Sequence, residues 1–151
     1  MRETFSLEDI FNIMIELETL GNKHYMEMQT MTTDLKLKEL FGQLAQQEVA
    51  HKELYTKYKN LNITFEATNA DEEYVSYMDA LLAGTVKFLN ASREIKNFDH
   101  GFDIAINLEK DTILFLSELK RIIEPSYHES IDTILDQERS HLKFLYNYLE
   151  R

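Results

Sequence analysis

The chain has 151 residues, a formal net charge of -11, four glycines, one proline and no cysteine. That length suits one domain spanning 1–151, and so few Gly and Pro argue for long helices rather than an all-β fold. The acidity disfavours nucleic acid as a partner, and the lack of cysteine excludes a disulfide, a thiolate nucleophile and a Cys-held iron centre.

Four long amphipathic stretches stand out. The first runs from Ser6 to Met31, with Ser6-Leu7-Glu8-Asp9 placed as a capping box in which Asp replaces the usual Glu or Gln. Ile10, Met14, Leu17, Gly21, Tyr25 and Met28 then recur at helical spacing. Thr32-Thr33-Asp34 reads as a break with Asp34 as N-cap. The second stretch runs to about Asn60, with Leu37, Leu40, Phe41, Leu44, Ala45, Tyr55 and Tyr58 on its stripe. Residues 61–70 read as irregular. Asp71 to Leu82 suits a short helix, interrupted at Gly84. The third long helix is expected from Asp99 to about Ile123, ended by Pro125, because the residue before a proline avoids helical ψ. The fourth runs from Ser126 to the C-terminus through Ile131, Ile134, Leu135, Leu142, Leu145 and Tyr148.

Short joins make helices one and two, and three and four, antiparallel hairpins. Nearly 40 residues separate the hairpins, enough to cross the length of a bundle. The expected fold is all-α: a four-helix bundle of ferritin-like arrangement, two antiparallel hairpins joined by a long crossover. No apolar run approaches the ~18 residues of a membrane span, and residues 1–5 lack a signal-peptide core. A cytoplasmic protein without membrane contact is the expectation.

One motif is written twice, as Glu48-Val49-Ala50-His51 and Glu138-Arg139-Ser140-His141. Each puts a carboxylate and an imidazole on one face of a helix. A lone glutamate precedes each pair: Glu18 by 30 residues and Glu109 by 29. All four glutamates lie near the middle of their helices, so an antiparallel bundle brings them to one level. They also lie on apolar stripes, where a bare carboxylate is costly. Four carboxylates and two neutral imidazoles balance two divalent cations. Mixed oxygen and nitrogen ligation suits iron, manganese or zinc better than calcium. Glu18, Glu48, His51, Glu109, Glu138 and His141 are therefore the candidate metal ligands. Either pair alone reads as an ordinary solvated helix pair, and the weight comes from the conjunction.

Tyr25 lies two turns beyond Glu18 and has three readings: a donor to a metal-bound carboxylate, a redox-active phenol, or a core tyrosine. The corresponding position in the second half is Leu116. His24 points to another face and is expected at the surface or an interface. Asp111, Asp136 and Glu53 point away from the candidate site. No Gly-rich phosphate loop, dinucleotide glycine pattern or nucleophile-elbow motif is present.

Leu17-Glu18 with Tyr25, Glu48-Val49-Ala50-His51, Leu108-Glu109 and Glu138-Arg139-Ser140-His141 together resemble the rubrerythrin-like branch of the ferritin-like superfamily, over essentially the whole chain and without a rubredoxin domain. The resemblance implies two bound metal ions, iron first with zinc or manganese as alternatives. It also implies redox activity toward peroxide or dioxygen, fed by an external electron donor. Rubrerythrins carry an additional glutamate on the third helix. Here the neighbours one turn from Glu109 are Ala105, Ile106, Thr112 and Ile113. The six-residue set looks like that of bacterioferritin, but only ten residues follow His141, so a storage cage is not expected. Three functions stay open: a di-iron oxidoreductase, a non-enzymatic iron-binding or sequestering protein, and a structural zinc site. A homodimer suits the class, though no sequence feature fixes an interface.

Overall fold

A computed structural model describes residues 5–63, 72–91 and 94–149. Five helices follow in chain order: α1 (Leu7–Thr30), α2 (Leu35–Asn60), α3 (Glu72–Leu89), α4 (Phe98–Ile122) and α5 (His128–Leu149). A 3-10 turn, Pro125–Tyr127, leads into α5. No strand occurs among the described residues.

Local chemistry sets the helix starts. Ser6 Oγ accepts from Asp9 N at 3.1 Å and Asp9 Oδ2 accepts from Ser6 N at 2.9 Å, so the capping box closes with Asp in the glutamate position. Asp34 caps α2 by accepting from Lys36 N and Leu37 N. Asn97 caps α4 through His100 N, which starts that helix at Phe98 rather than Asp99. At its other end α4 stops at Ile122; Ile123 and Glu124 are extended, with ψ of 156° and 136°, ahead of Pro125.

The crossover departs from expectation. α3 runs unbroken through Gly84, where a Cβ would meet nothing within 4 Å. Glycine lowers helix stability there by about 1 kcal/mol relative to Ala. Burial of Met78 and Leu82, with Tyr74, Val75, Leu81, Phe88 and Leu89 partly buried beside them, offsets that loss. The expected irregular segment is a turn at 61–63; its remainder, 64–70, and Asp71 lie outside the described residues.

α1 packs against α2, α3 and α4, and α4 packs against α5. α3 spans the bundle's length. At its start Tyr74 bonds to Glu118 near the end of α4, and at its end Leu89 shares a small cavity with Ile104 near the start of α4. The core divides into two apolar clusters. One joins the first half of α1 (Ile10, Met14, Leu17) to the second half of α4 (Phe115, Leu116, Leu119) and the first half of α5 (Ile131, Ile134, Leu135). The other joins Tyr25 and Met28 of α1 to Phe41 of α2, Phe102 of α4 and Leu145 of α5. Between the clusters, at mid-height, the buried side chains turn polar.

Candidate metal centre

That polar layer consists of Glu18 from α1, Glu48 and His51 from α2, Glu109 from α4, and Glu138 and His141 from α5. Each is buried, the most exposed at 4 %. The three-residue spacing of each Glu-x-x-His aims both side chains inward, and the antiparallel hairpins bring all four helices' contributions to one height. All six candidate residues thus meet. Asp136 and Glu53 are exposed and Asp111 half-buried, away from the cluster.

The six residues form two overlapping sets. Glu18, Glu48, His51 and Glu138 offer ligand atoms within 4.8 Å of one another, and so do Glu48, Glu109, Glu138 and His141. Glu48 and Glu138 belong to both. His51 Nδ1 lies 2.6 Å from Glu138 Oε1 and 3.6 Å from Glu18 Oε1. His141 Nδ1 lies 3.4 Å from both Glu48 Oε1 and Glu109 Oε1.

Seven buried atoms here have no hydrogen-bond partner: Glu18 Oε2, Glu48 Oε1, Glu109 Oε2, both Glu138 oxygens, and Nδ1 of His51 and His141. An orphaned buried polar atom costs about 1–3 kcal/mol, and more if charged. Converging lone pairs on carboxylates and imidazoles are what a pair of cations requires, and the donor set fits them.

Without a cation, protons take that role. Burial pushes Glu18 up from 4.5 to about 8. Burial, then the charges of neighbouring glutamates, also pushes Glu48 and Glu138 well up. Burial pushes Glu109 the same way, but its close contacts with Glu138 and His141 and the hydrogen bond from Tyr25 outweigh it and bring this carboxyl below 4.5. Burial pushes His141 down, yet its contacts with Glu109 and Glu48 hold it at about 9. The metal-free site thus stores protons beside a Glu109–His141 ion pair.

Two tyrosines hold the unshared glutamates. Tyr25 Oη donates to Glu109 Oε1 at 2.6 Å, across the bundle rather than to Glu18 on its own helix. Tyr55 Oη donates to Glu18 Oε1 at 3.2 Å. Burial raises both phenols well above 10, so they stay protonated donors. Sequence reasoning placed Tyr55 only on an apolar stripe. The available signal was its place seven residues after Glu48, the same offset as Tyr25 from Glu18.

Two glutamines were also missed. Gln137 Oε1 accepts from His51 Nε2 at 2.6 Å, and Gln47 Oε1 accepts from His141 Nε2. Gly21 makes room as well: a Cβ there would sit 3.0 Å from Glu48 Oε2. His24 is not at the surface. It is 7 % exposed, with Nε2 2.7 Å from Gly101 O, because its face of α1 turns toward α4. A cavity of about 330 Å³ between α2 and α5, lined by Leu40, Leu44, Gln47, Gln137, Ser140 and Phe144, reaches His141 from outside.

Two helix hairpins joined by a crossover, with one inward glutamate on two helices and a Glu-x-x-His on the other two, define the ferritin-like dimetal-carboxylate class. The model of the rubrerythrin family matches residues 9–149, and the chain belongs to that family. Its fold is similar to the crystal structure of a Thermotoga maritima protein described as ferritin-like and diiron-carboxylate. The two share 25% identity over 97% of this chain and 96% of that one, with a TM-score of 0.66. Among curated proteins, none matches the sequence. No helix among the described residues is long and apolar enough to cross a membrane.

Proposed function

We propose that the protein binds two iron ions and uses them in redox chemistry toward peroxide or dioxygen. The observation that carries the reading is the set of seven unpartnered buried donor atoms, divided between two clusters that share Glu48 and Glu138. In this reading Glu18 and His51 would hold one ion and Glu109 and His141 the other, with Glu48 and Glu138 available to both. Four negative charges against two divalent cations leave the buried layer neutral.

Ferrous ions held there would supply two electrons to the oxidant, with re-reduction by an external donor. The chain's own residues do the rest. Tyr25 and Tyr55 fix the unshared carboxylates and keep their protons. The apolar clusters above and below exclude water along the bundle axis. The cavity between α2 and α5 gives a lateral approach as far as His141.

A second reading is iron binding without turnover, and one observation favours it. Thr112, one turn from Glu109 on α4, turns its hydroxyl back to Leu108 O at 2.9 Å. No further carboxylate stands ready on α4 to follow a change in metal charge.

Turnover separates the readings. Protein loaded anaerobically with ferrous iron is given peroxide and a chemical reductant. Consumption of many equivalents of peroxide per chain supports the enzyme; a single stoichiometric oxidation supports iron binding alone.

A further inference from the structure

The two glutamine–histidine contacts are crossed. Gln47 directly precedes Glu48 of the first Glu-x-x-His, yet it accepts from His141 of the second. Gln137 directly precedes Glu138 of the second motif and accepts from His51 of the first. Both glutamines are exposed, whereas both imidazoles are 4 % exposed. The amides therefore form the outer layer over the rings, and both line the cavity between α2 and α5.

We propose that Gln47 and Gln137 are positioning residues, each fixing the tautomer and ring orientation of the histidine in the opposite motif so that Nδ1 faces the metal pair. The inference rests on the dimetal reading above and adds to it which residues orient the nitrogen ligands.

The chemistry follows from what an amide oxygen can do. Oε1 only accepts, so the ring nitrogen against it carries the hydrogen. A neutral imidazole has one such hydrogen, which leaves the lone pair on Nδ1. Nδ1 of His51 and of His141 are the ring atoms that lack a hydrogen-bond partner and face the glutamates. Outer groups of this kind set the aim and basicity of a histidine ligand.

An amide also differs from the other common partner, a carboxylate. Two further carboxylates would add two negative charges to four that two divalent ions already neutralise. Gln47 and Gln137 supply the acceptor and leave the charge balance alone. The crossing has a second consequence. The bonds span the open seam between α2 and α5, so the set containing His51 depends on α5 and the set containing His141 depends on α2.

The test uses ¹⁵N-histidine-labelled full chain loaded with zinc, a diamagnetic probe, and compares it with Gln47→Leu, Gln137→Leu, Gln47→Glu and Gln137→Glu. Long-range ¹H–¹⁵N spectra report which ring nitrogen bears hydrogen. In the unmodified chain His51 and His141 are expected as Nε2–H tautomers. Gln47→Leu is expected to disturb the His141 signals and spare His51, and Gln137→Leu to do the reverse. Each Leu variant should weaken one of two zinc-binding steps by about 10–100-fold, the usual loss for such a partner. The Glu variants keep an acceptor and should preserve both tautomers.

Fewer than two zinc ions on the unmodified chain would overturn the dimetal reading and this inference with it. Two zinc ions with Nδ1–H histidines, or with Gln47→Leu disturbing His51 rather than His141, would overturn this inference alone. So would Leu variants that leave both histidines and both affinities unchanged. The Glu variants guard against a mere packing effect: if they lose the tautomers as the Leu variants do, the acceptor is not what matters.

Discussion

Tyr25 on α1 donates to Glu109 on α4 at 2.6 Å, while Glu18, on Tyr25's own helix, is held by Tyr55 of α2 at 3.2 Å. Both phenols come from the first hairpin, yet each unshared glutamate receives one. Removing a hydroxyl should therefore act on one metal position at a time. Tyr25→Phe is expected to weaken the position of Glu109 and His141 by about tenfold, the scale of one hydrogen bond to a charged group. Tyr55→Phe should weaken the position of Glu18 and His51 instead. Stepwise titration with cobalt(II), followed by its visible bands, resolves the two. Identical losses in both variants would break the assignment.

The metal-free protein should lose stability as pH rises. Burial holds Glu18 at about 8 instead of 4.5, and contacts with Glu109 and Glu48, against burial, hold His141 at about 9 instead of 6.5. Both groups bind protons more tightly folded than unfolded. Their contribution is complete below the unfolded values and disappears as pH passes about 8 and about 9. A divalent metal displaces those protons, so its stabilising effect should grow over the same range. Thermal melts in chelator and in manganese, from about pH 6 to about pH 9, check both slopes. A metal-free Tm that rises with pH would contradict the account.

Two glycines predict opposite outcomes. A Cβ at Gly21 would press on Glu48 Oε2 at 3.0 Å, and Glu48 belongs to both clusters. Gly21→Ala should weaken both metal positions while barely changing metal-free stability, because the carboxylate end of a flexible side chain can shift. Nothing lies within 4 Å of a Cβ at Gly84. Gly84→Ala should stabilise the fold by up to about 1 kcal/mol, with metal binding unchanged. Chemical denaturation and metal titration on the same samples measure both.

The lateral cavity makes a kinetic prediction. Ser140 is exposed and lines it, one residue from His141. Ser140→Trp should fill the approach without touching a candidate ligand. Metal content is expected to hold while the rate of iron oxidation by peroxide falls several-fold. Stopped-flow absorbance on matched samples decides it, and an unchanged rate would place the approach elsewhere.

Much of this was legible in the chain because it is local. The capping box at Ser6, the cap at Asp34 and the Glu-x-x-His pairs each lie within one helical turn, where spacing determines geometry. Mid-helix position then placed the four glutamates at one level. What escaped depends on partners distant in sequence. The glutamine–histidine bonds join residues 86 and 94 positions apart, and Tyr25 reaches 84 positions to Glu109. Gly84 suggested a break because local propensity says nothing of the apolar face that α3 lays on α1. His24 was misplaced for the same reason, since α4 covers it.

The central claim is that six side chains hold two metal ions through two shared carboxylates. Its most direct test is metal analysis after anaerobic loading with ferrous iron and removal of excess, on the unmodified chain, Glu138→Ala and Glu18→Ala. Glu138 is in both clusters and Glu18 in one. The account predicts two irons per chain for the unmodified protein, near-complete loss in Glu138→Ala and about one iron retained in Glu18→Ala. Less than one iron on the unmodified chain, or binding indifferent to Glu138→Ala, would contradict it.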